Sequence, residues 1–441
     1  MVTENGNPHV PVQEGPVMLN RVGEIPSRQG MPLEKGRWRF IATGLVINLC
    51  LGTTYAWSVF VHPLTDYFTL HLGQTVTAND VLMPFSVILA VFAITMALTG
   101  TYIETRGPRK VTAIGCIMVG LGWLLASAVT SIPMLCVMYG VIGGIGLGIA
   151  YGATVAVAAR WFPDRRGLAL GMTILGVGFS ALITANLAGY FITAYGIMST
   201  FRMFGIGIII ITVPLALPLT FPPEGWKPPG WNPPVPREGE EVTCECNRPA
   251  MLRTPAFYGL WMCYFIGCIA GLMAISISQP VGTELLHIET GLATALVGFF
   301  AIFNGSGRPF FGLLTDRITP RYTAMLSFVL IALASLAMWQ VPLVPVYIIA
   351  FAVLWGCSGG WLAIAPTATA RYFGTSDYPR CYGIIFLAFG AGAIAGPQLA
   401  GFIRTTTGNY LGIFPWAVVL AIVGFFIAFF LMKPPKVTTG G

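Results

Sequence analysis

Apolar runs of about 20 residues, the length that crosses the hydrocarbon core of a bilayer as a helix, follow one another along most of the chain. Short polar turns separate them. The pattern predicts twelve spans, at residues 39–61, 81–103, 111–129, 133–159, 168–191, 201–221, 256–278, 291–314, 322–340, 344–370, 382–403 and 411–432. Within the first, Asn48, Gly52 and Tyr55 recur at helical spacing. Such a stripe faces a bundle interior. In the fourth, Gly140, Gly144, Gly148 and Gly152 recur every fourth residue, a seam for close helix approach. One long polar segment, 222–253, rich in proline, divides the spans six and six.

The expected organisation is therefore an all-α membrane protein. A disordered tail (1–36) precedes a six-helix bundle (37–221), a linker (222–253), a second six-helix bundle (254–433) and a short tail (434–441). Only 9% of the 441 residues are charged and 55% are hydrophobic. Soluble proteins carry about 25% charged residues, so a soluble enzyme is excluded. The net charge of +7 is spread over the turns and makes no patch for nucleic acid. Arg106, Arg109, Lys110, Arg160, Arg165, Arg166, Arg317, Arg321, Arg371 and Arg380 all fall on the side of the linker, and essentially Arg202 and Arg404 on the other. By the positive-inside rule both termini and the linker are cytoplasmic.

The halves repeat. Gly100-x-x-x-Glu104 with Arg106 returns as Gly312-x-x-x-Asp316-Arg317, and Ala159-Arg160-Trp161-Phe162 returns as Ala370-Arg371-Tyr372-Phe373. Parallel repeats of this kind form two bundles about an axis along the membrane normal, with the substrate path between them. Glu104, Arg106, Asp316, Arg317 and Asp164 then read as a charged latch that breaks when the halves rock.

Arg308 stands alone as a cation deep inside an apolar span. An arginine at a helix centre costs about 2.5–3.5 kcal/mol on insertion scales and marks a functional site. The apolar spans place no Asp or Glu deep enough to pair with it, which points to an anionic substrate. Asn304, four residues earlier, shares its helix face. Tyr55 and Tyr151 are candidate phenolic donors, and Phe386, Phe389, Trp355 and Trp361 candidate apolar walls. No metal-ligand spacing, His cluster or nucleophile with a base is present, so neither a cofactor nor an enzymatic reaction is expected. Cys244 and Cys246 form a lone Cys-x-Cys, too little for a metal site. His62, His71 and His287 fall in loops on the far side.

The turns after Gly100 and Gly312 resemble the loop signature of the major facilitator superfamily, with Glu104 where Asp is usual. Arg160-Trp-Phe-Pro-Asp-Arg-Arg-Gly167 together with Asn304-Gly-x-x-Arg308-Pro-x-x-Gly312 resembles the oxalate–formate antiporter family, itself similar to monocarboxylate transporters. The resemblance implies the major facilitator fold and a carboxylate at Arg308. Its second cation, a lysine of the eleventh span, falls on or near Phe389, and that span has no lysine. One cation suits one carboxylate. The Asp and Lys of the animal monocarboxylate transporters are also missing, with Gly307 standing before Arg308. The combined expectation is a monomeric carrier in the cell (inner) membrane that moves lactate, pyruvate or a similar monocarboxylate by alternating access. Either a proton or a counter-anion accompanies the substrate; an oxalate–formate-type exchanger is the alternative.

Overall fold

The computed structural model describes residues 36–73, 76, 78–223, 225–231 and 246–435. Residues 1–35 of the expected tail, residues 224 and 232–245 of the linker with Cys244, and residues 436–441 lie outside them, as do the side chains of His62 and His71. Among the described residues all regular structure is helical.

The first half contains α1 (Trp38–Leu51), α2 (Ala78–Arg106), α3 (Pro108–Ala126), α4 (Gly144–Trp161), α5 (Arg166–Tyr195) and α6 (Ile197–Ala216). The second contains α7 (Pro255–Pro280), α8 (Thr290–Ile318), α9 (Pro320–Gln340), α10 (Val344–Phe373), α11 (Tyr378–Thr407) and α12 (Ile413–Leu431). Looser helical turns over Ile132–Leu135 and Cys136–Gly143 lead into α4. Ten of these spans are long and apolar enough to cross a membrane by length and composition alone. Helix α8 is as long as its neighbours but carries Asn304, Arg308 and five glycines in its apolar stretch, so its polarity hides it. Helix α1 completes the twelve in a form that periodicity does not foresee. A tight turn over Gly52–Ala56 interrupts it. Beyond the turn the chain continues as Ser58–Asp66, bent by 55°. The turn begins at Gly52, which lies against the backbone of Val177 on α5, and the bend comes after Ala56.

Helix starts follow local chemistry. Thr254 accepts a hydrogen bond from the Phe257 N–H and Pro255 occupies the first turn of α7, a cap and a pre-set φ. The repeat extends to the backbone. Gly107 before α3 and Thr319 before α9 both have positive φ, 77° and 115°, and at the same interval Gly196 and Gly408 have 78° and 79°. Thr319 therefore holds a conformation that a β-branched residue adopts only under strain.

Two helix pairs make most of the contact between the halves, α5 with α8 and α2 with α11, and α5 also meets α10. Glycines set the first. Gly171 lies against the backbone of Arg308 and Pro309, Gly178 against Gly305, and Gly167 against Gly312. Gly100 lies against the backbone of Pro379 and Arg380 in the second pair. Within the first half, the α4 seam closes on α2. A Cβ on Gly144 would sit 2.9 Å from Val91 Cβ, and one on Gly148 2.8 Å from the Phe92 carbonyl. Overpacking of this kind costs about 1–3 kcal/mol. Gly148→Leu is thus expected to lower the thermal unfolding midpoint in detergent, while Gly207→Leu, which meets nothing within 4 Å, leaves it nearly unchanged.

Candidate functional site: a buried guanidinium between the two halves

Arg308 is 2% exposed. Its Nη1 donates to the carbonyl of Ile174 on α5, and its Nη2 to Asn304 Oδ1 at 3.3 Å. Asn304 Nδ2 in turn donates to the Trp355 carbonyl at 3.1 Å, which fixes its oxygen toward the arginine. Nε has no partner and borders Gly178. Among the described residues no carboxylate pairs with this cation. Its electrostatic neighbours are four phenols, Tyr55, Tyr151, Tyr264 and Tyr382. A buried charge without a counterion is costly. A carboxylate facing the unused part of the fork offsets that cost and matches its planar geometry.

A small cavity opens beside the guanidinium. Arg308, Tyr55, Tyr151 and Phe386 line it together with Phe92, Leu51, Leu147, Val177 and Leu362, and it holds ≈ 10 Å³. That is room for about one water. The cavity draws on both halves. On one wall Phe92, Tyr151 and Phe386 pack ring against ring, with centroids 4.9–5.5 Å apart.

The expected site residues separate into two groups. Arg308, Asn304, Tyr55, Tyr151 and Phe386 come together. Phe389 stacks behind Phe386 at 5.0 Å. Trp355 does not reach the cavity as a wall; its indole N–H donates to Ser278 Oγ at 2.8 Å, and its contribution is the carbonyl that holds Asn304. Trp361 packs against Phe328 and Tyr264 within the second half. Tyr264 and Tyr382 were not expected. Both are buried, and with Tyr151 their hydroxyls lack a hydrogen-bond partner of normal geometry. Their signal in the sequence is faint, a tyrosine on an otherwise apolar face.

The linker side of the molecule is latched, with a different set of cations from the one the turns suggest. Asp316 accepts from the backbone N–H groups of Gly167 and Leu168 at 2.7 and 2.9 Å. These groups open α5, where a carboxylate also meets the positive end of the helix dipole. Glu104 pairs with Arg160 at 2.7 Å, and Arg160 reaches across to the carbonyls of Thr375 and Ser376. Arg166 donates to the Ala370 carbonyl at 2.8 Å. Arg106 and Arg317, expected in the latch, are exposed and make no hydrogen bond among the described residues. Each is exposed at its helix end, where a charged side chain needs no protein partner. Asp164 is not an inter-half contact either. It forms a two-pronged pair with Arg37 at 2.6 and 2.9 Å, tying the start of α1 to the α4–α5 turn. No group of three or more metal-ligating side chains occurs among the described residues.

The family model of the Major Facilitator Superfamily matches residues 43–367 and 261–440. The oxalate:formate antiporter of Oxalobacter formigenes is 30% identical over 415 residues, 91% of this chain and 92% of that one. The chain belongs to the major facilitator superfamily, in the family of the oxalate:formate antiporter. Monocarboxylate transporter 13 of Rattus norvegicus is 26% identical over 335 residues, 74% of each chain. Among solved structures, the superfamily transporter FucP in the outward conformation superposes with a TM-score of 0.67 at 16% identity, over 90% of this chain and 99% of that one. The fold is thus that of a major facilitator superfamily transporter, with twelve helices in two parallel-repeat bundles. The protein is a multi-pass membrane transporter and not an enzyme.

Asp316→Asn removes a charged acceptor of two N–H groups, and hydrogen bonds to a charge contribute about 1.5–3 kcal/mol each. It is expected to shift the population away from the latched state. With a cysteine in place of the buried Ala370, labelling by an impermeant thiol reagent should speed up about tenfold or more.

Proposed function

We propose that this major facilitator superfamily transporter carries small monocarboxylates such as lactate or pyruvate together with a proton, by alternating access. Arg308 binds the carboxylate. The observation that carries the reading is a fully buried guanidinium that lacks a counterion and leaves Nε unused. Asn304 orients it, and Tyr55 and Tyr151 supply phenolic donors to the remaining polar atoms of the substrate. Phe386, backed by Phe389, and the aliphatic lining accept a short alkyl group. The net affinity is modest, because both ions lose their hydration on pairing. That suits a carrier that must release its cargo.

The two six-helix bundles, 37–221 and 254–433, rock about this site in the proposal, joined by the linker 222–253. Both termini lie in the cytoplasm, on the side rich in arginine and lysine. The latched state then faces outward or is occluded, and inward opening breaks the contacts of Asp316, Arg160 and Arg166. The carrier works as a monomer, since each chain holds a whole site.

The second reading is anion exchange of the oxalate–formate type. The antiporter at 30% identity supports it. The cavity supplies one cation, whereas a dicarboxylate calls for two. Reconstituted liposomes separate the readings. Lactate uptake that rises with an inward proton gradient, needs no internal anion and disappears in Arg308→Ala supports the first. Uptake that depends on internal lactate or oxalate supports exchange. Wild-type uptake by Arg308→Ala removes both.

A further inference from the structure

The latch leaves Arg106 unused, and it lies at the mouth of a second cavity remote from the substrate path. A groove of ≈ 360 Å³ runs between α2, α3 and α4 near the linker end of the first half, lined by Thr99, Tyr102, Val111, Ile114 and Ile149, with Arg106 and Lys110 at one end. Its walls are almost wholly apolar. Tyr102 and Ile114 are 62% and 54% exposed, and the same surface continues along Ile94 and Leu98 on α2 and Ile117 and Leu121 on α3, all exposed. In a membrane transporter that surface is turned to lipid. Arg106 and Lys110 are exposed and make no hydrogen bond among the described residues. Two unneutralised cations thus sit at the end of an apolar slot, at the level where helices meet lipid headgroups.

The repeat supplies an internal comparison. The positive-φ pairs Gly107 with Thr319 and Gly196 with Gly408 set the register. In that register Ile318 stands where Arg106 does and Tyr322 where Lys110 does. The turn between α8 and α9 carries its own cations, Arg317 and Arg321, one residue earlier in each case, and none at these two positions. A cation at these two positions is therefore not a requirement of the repeated turn.

We propose that this groove binds an anionic phospholipid, its phosphate between Arg106 and Lys110 and an acyl chain along Tyr102, Ile114 and Ile149. Clustered basic residues beside a membrane span attract anionic headgroups. The groove adds a shaped apolar slot to that attraction. The end of α2 that holds the headgroup also carries Glu104, paired with Arg160, and Thr101, which accepts from Arg380 of α11 at 3.0 Å. A lipid clamped there steadies the α2 end in the latched arrangement. This inference does not depend on which substrate is carried.

The test counts lipid directly. Protein is extracted from vesicles of phosphatidylcholine containing a minor share of phosphatidylglycerol, and the retained lipids are measured by mass spectrometry. Wild type should retain phosphatidylglycerol several-fold above its share of the vesicle. Arg106→Gln with Lys110→Gln should fall to that share. Arg253→Gln with Lys433→Gln, which removes two exposed cations elsewhere on the same side, should keep the enrichment. Ile114→Trp fills the slot without changing charge and should also lower it. No enrichment in wild type overturns the proposal. So does equal loss in the two double variants, or full enrichment in either Arg106→Gln with Lys110→Gln or Ile114→Trp. A melting curve on each sample confirms that the variants are folded.

Discussion

A guanidinium buried without a counterion is the constraint around which the molecule is arranged. Arg308 needs acceptors, and the apolar interior offers few. The α5–α8 seam provides one by bringing backbones together. Glycines at 171, 178 and 305 remove the side chains that would hold the helices apart, and the Ile174 carbonyl then reaches the arginine. Asn304 contributes a second acceptor, held in place by the Trp355 carbonyl. The remainder of the fork stays open toward a small cavity. The arrangement gives the charge two acceptors and no counterion among the described residues, so part of its desolvation stays uncompensated.

The same close approach defines how the halves meet. Where Gly167 and Gly312 touch, the Asp316 carboxylate reaches the first N–H groups of α5. Arg308 and Asp316 therefore lie about two turns apart on one helix, α8. Both contact α5. A movement of α8 against α5 that breaks the latch necessarily alters the surroundings of Arg308. That coupling is what an alternating-access carrier requires, and here it follows from one glycine-lined helix pair.

Much of this was legible in the pattern of residues. Hydrophobic periodicity located the spans, because a bilayer leaves helices few alternatives. The glycine seam of α4 and the pairing of Asn304 with Arg308 followed from spacing along single helices. The bend after the Gly52–Ala56 turn did not, since the apolar pattern runs through it without a break. Nor did the latch partners. Glu104 and Asp316 are repeat equivalents, yet one pairs inside its own half and the other caps α5 across the interface. Tertiary approach decides that choice, and the repeated turn is the same in both. Tyr264 and Tyr382 escaped notice for a related reason: only the packing of α7 and α11 brings their hydroxyls near Arg308.

The most direct measurement is equilibrium binding of lactate to purified protein, wild type against Arg308→Lys and Arg308→Ala, with thermal stability as a control for folding. A charge-assisted bidentate contact contributes about 1.5–3 kcal/mol or more, about ten- to a hundredfold in Kd. The account predicts weakening of that order in Arg308→Lys, which keeps the charge and loses the fork, and binding below detection in Arg308→Ala. Unchanged lactate affinity in a folded Arg308→Ala protein contradicts it.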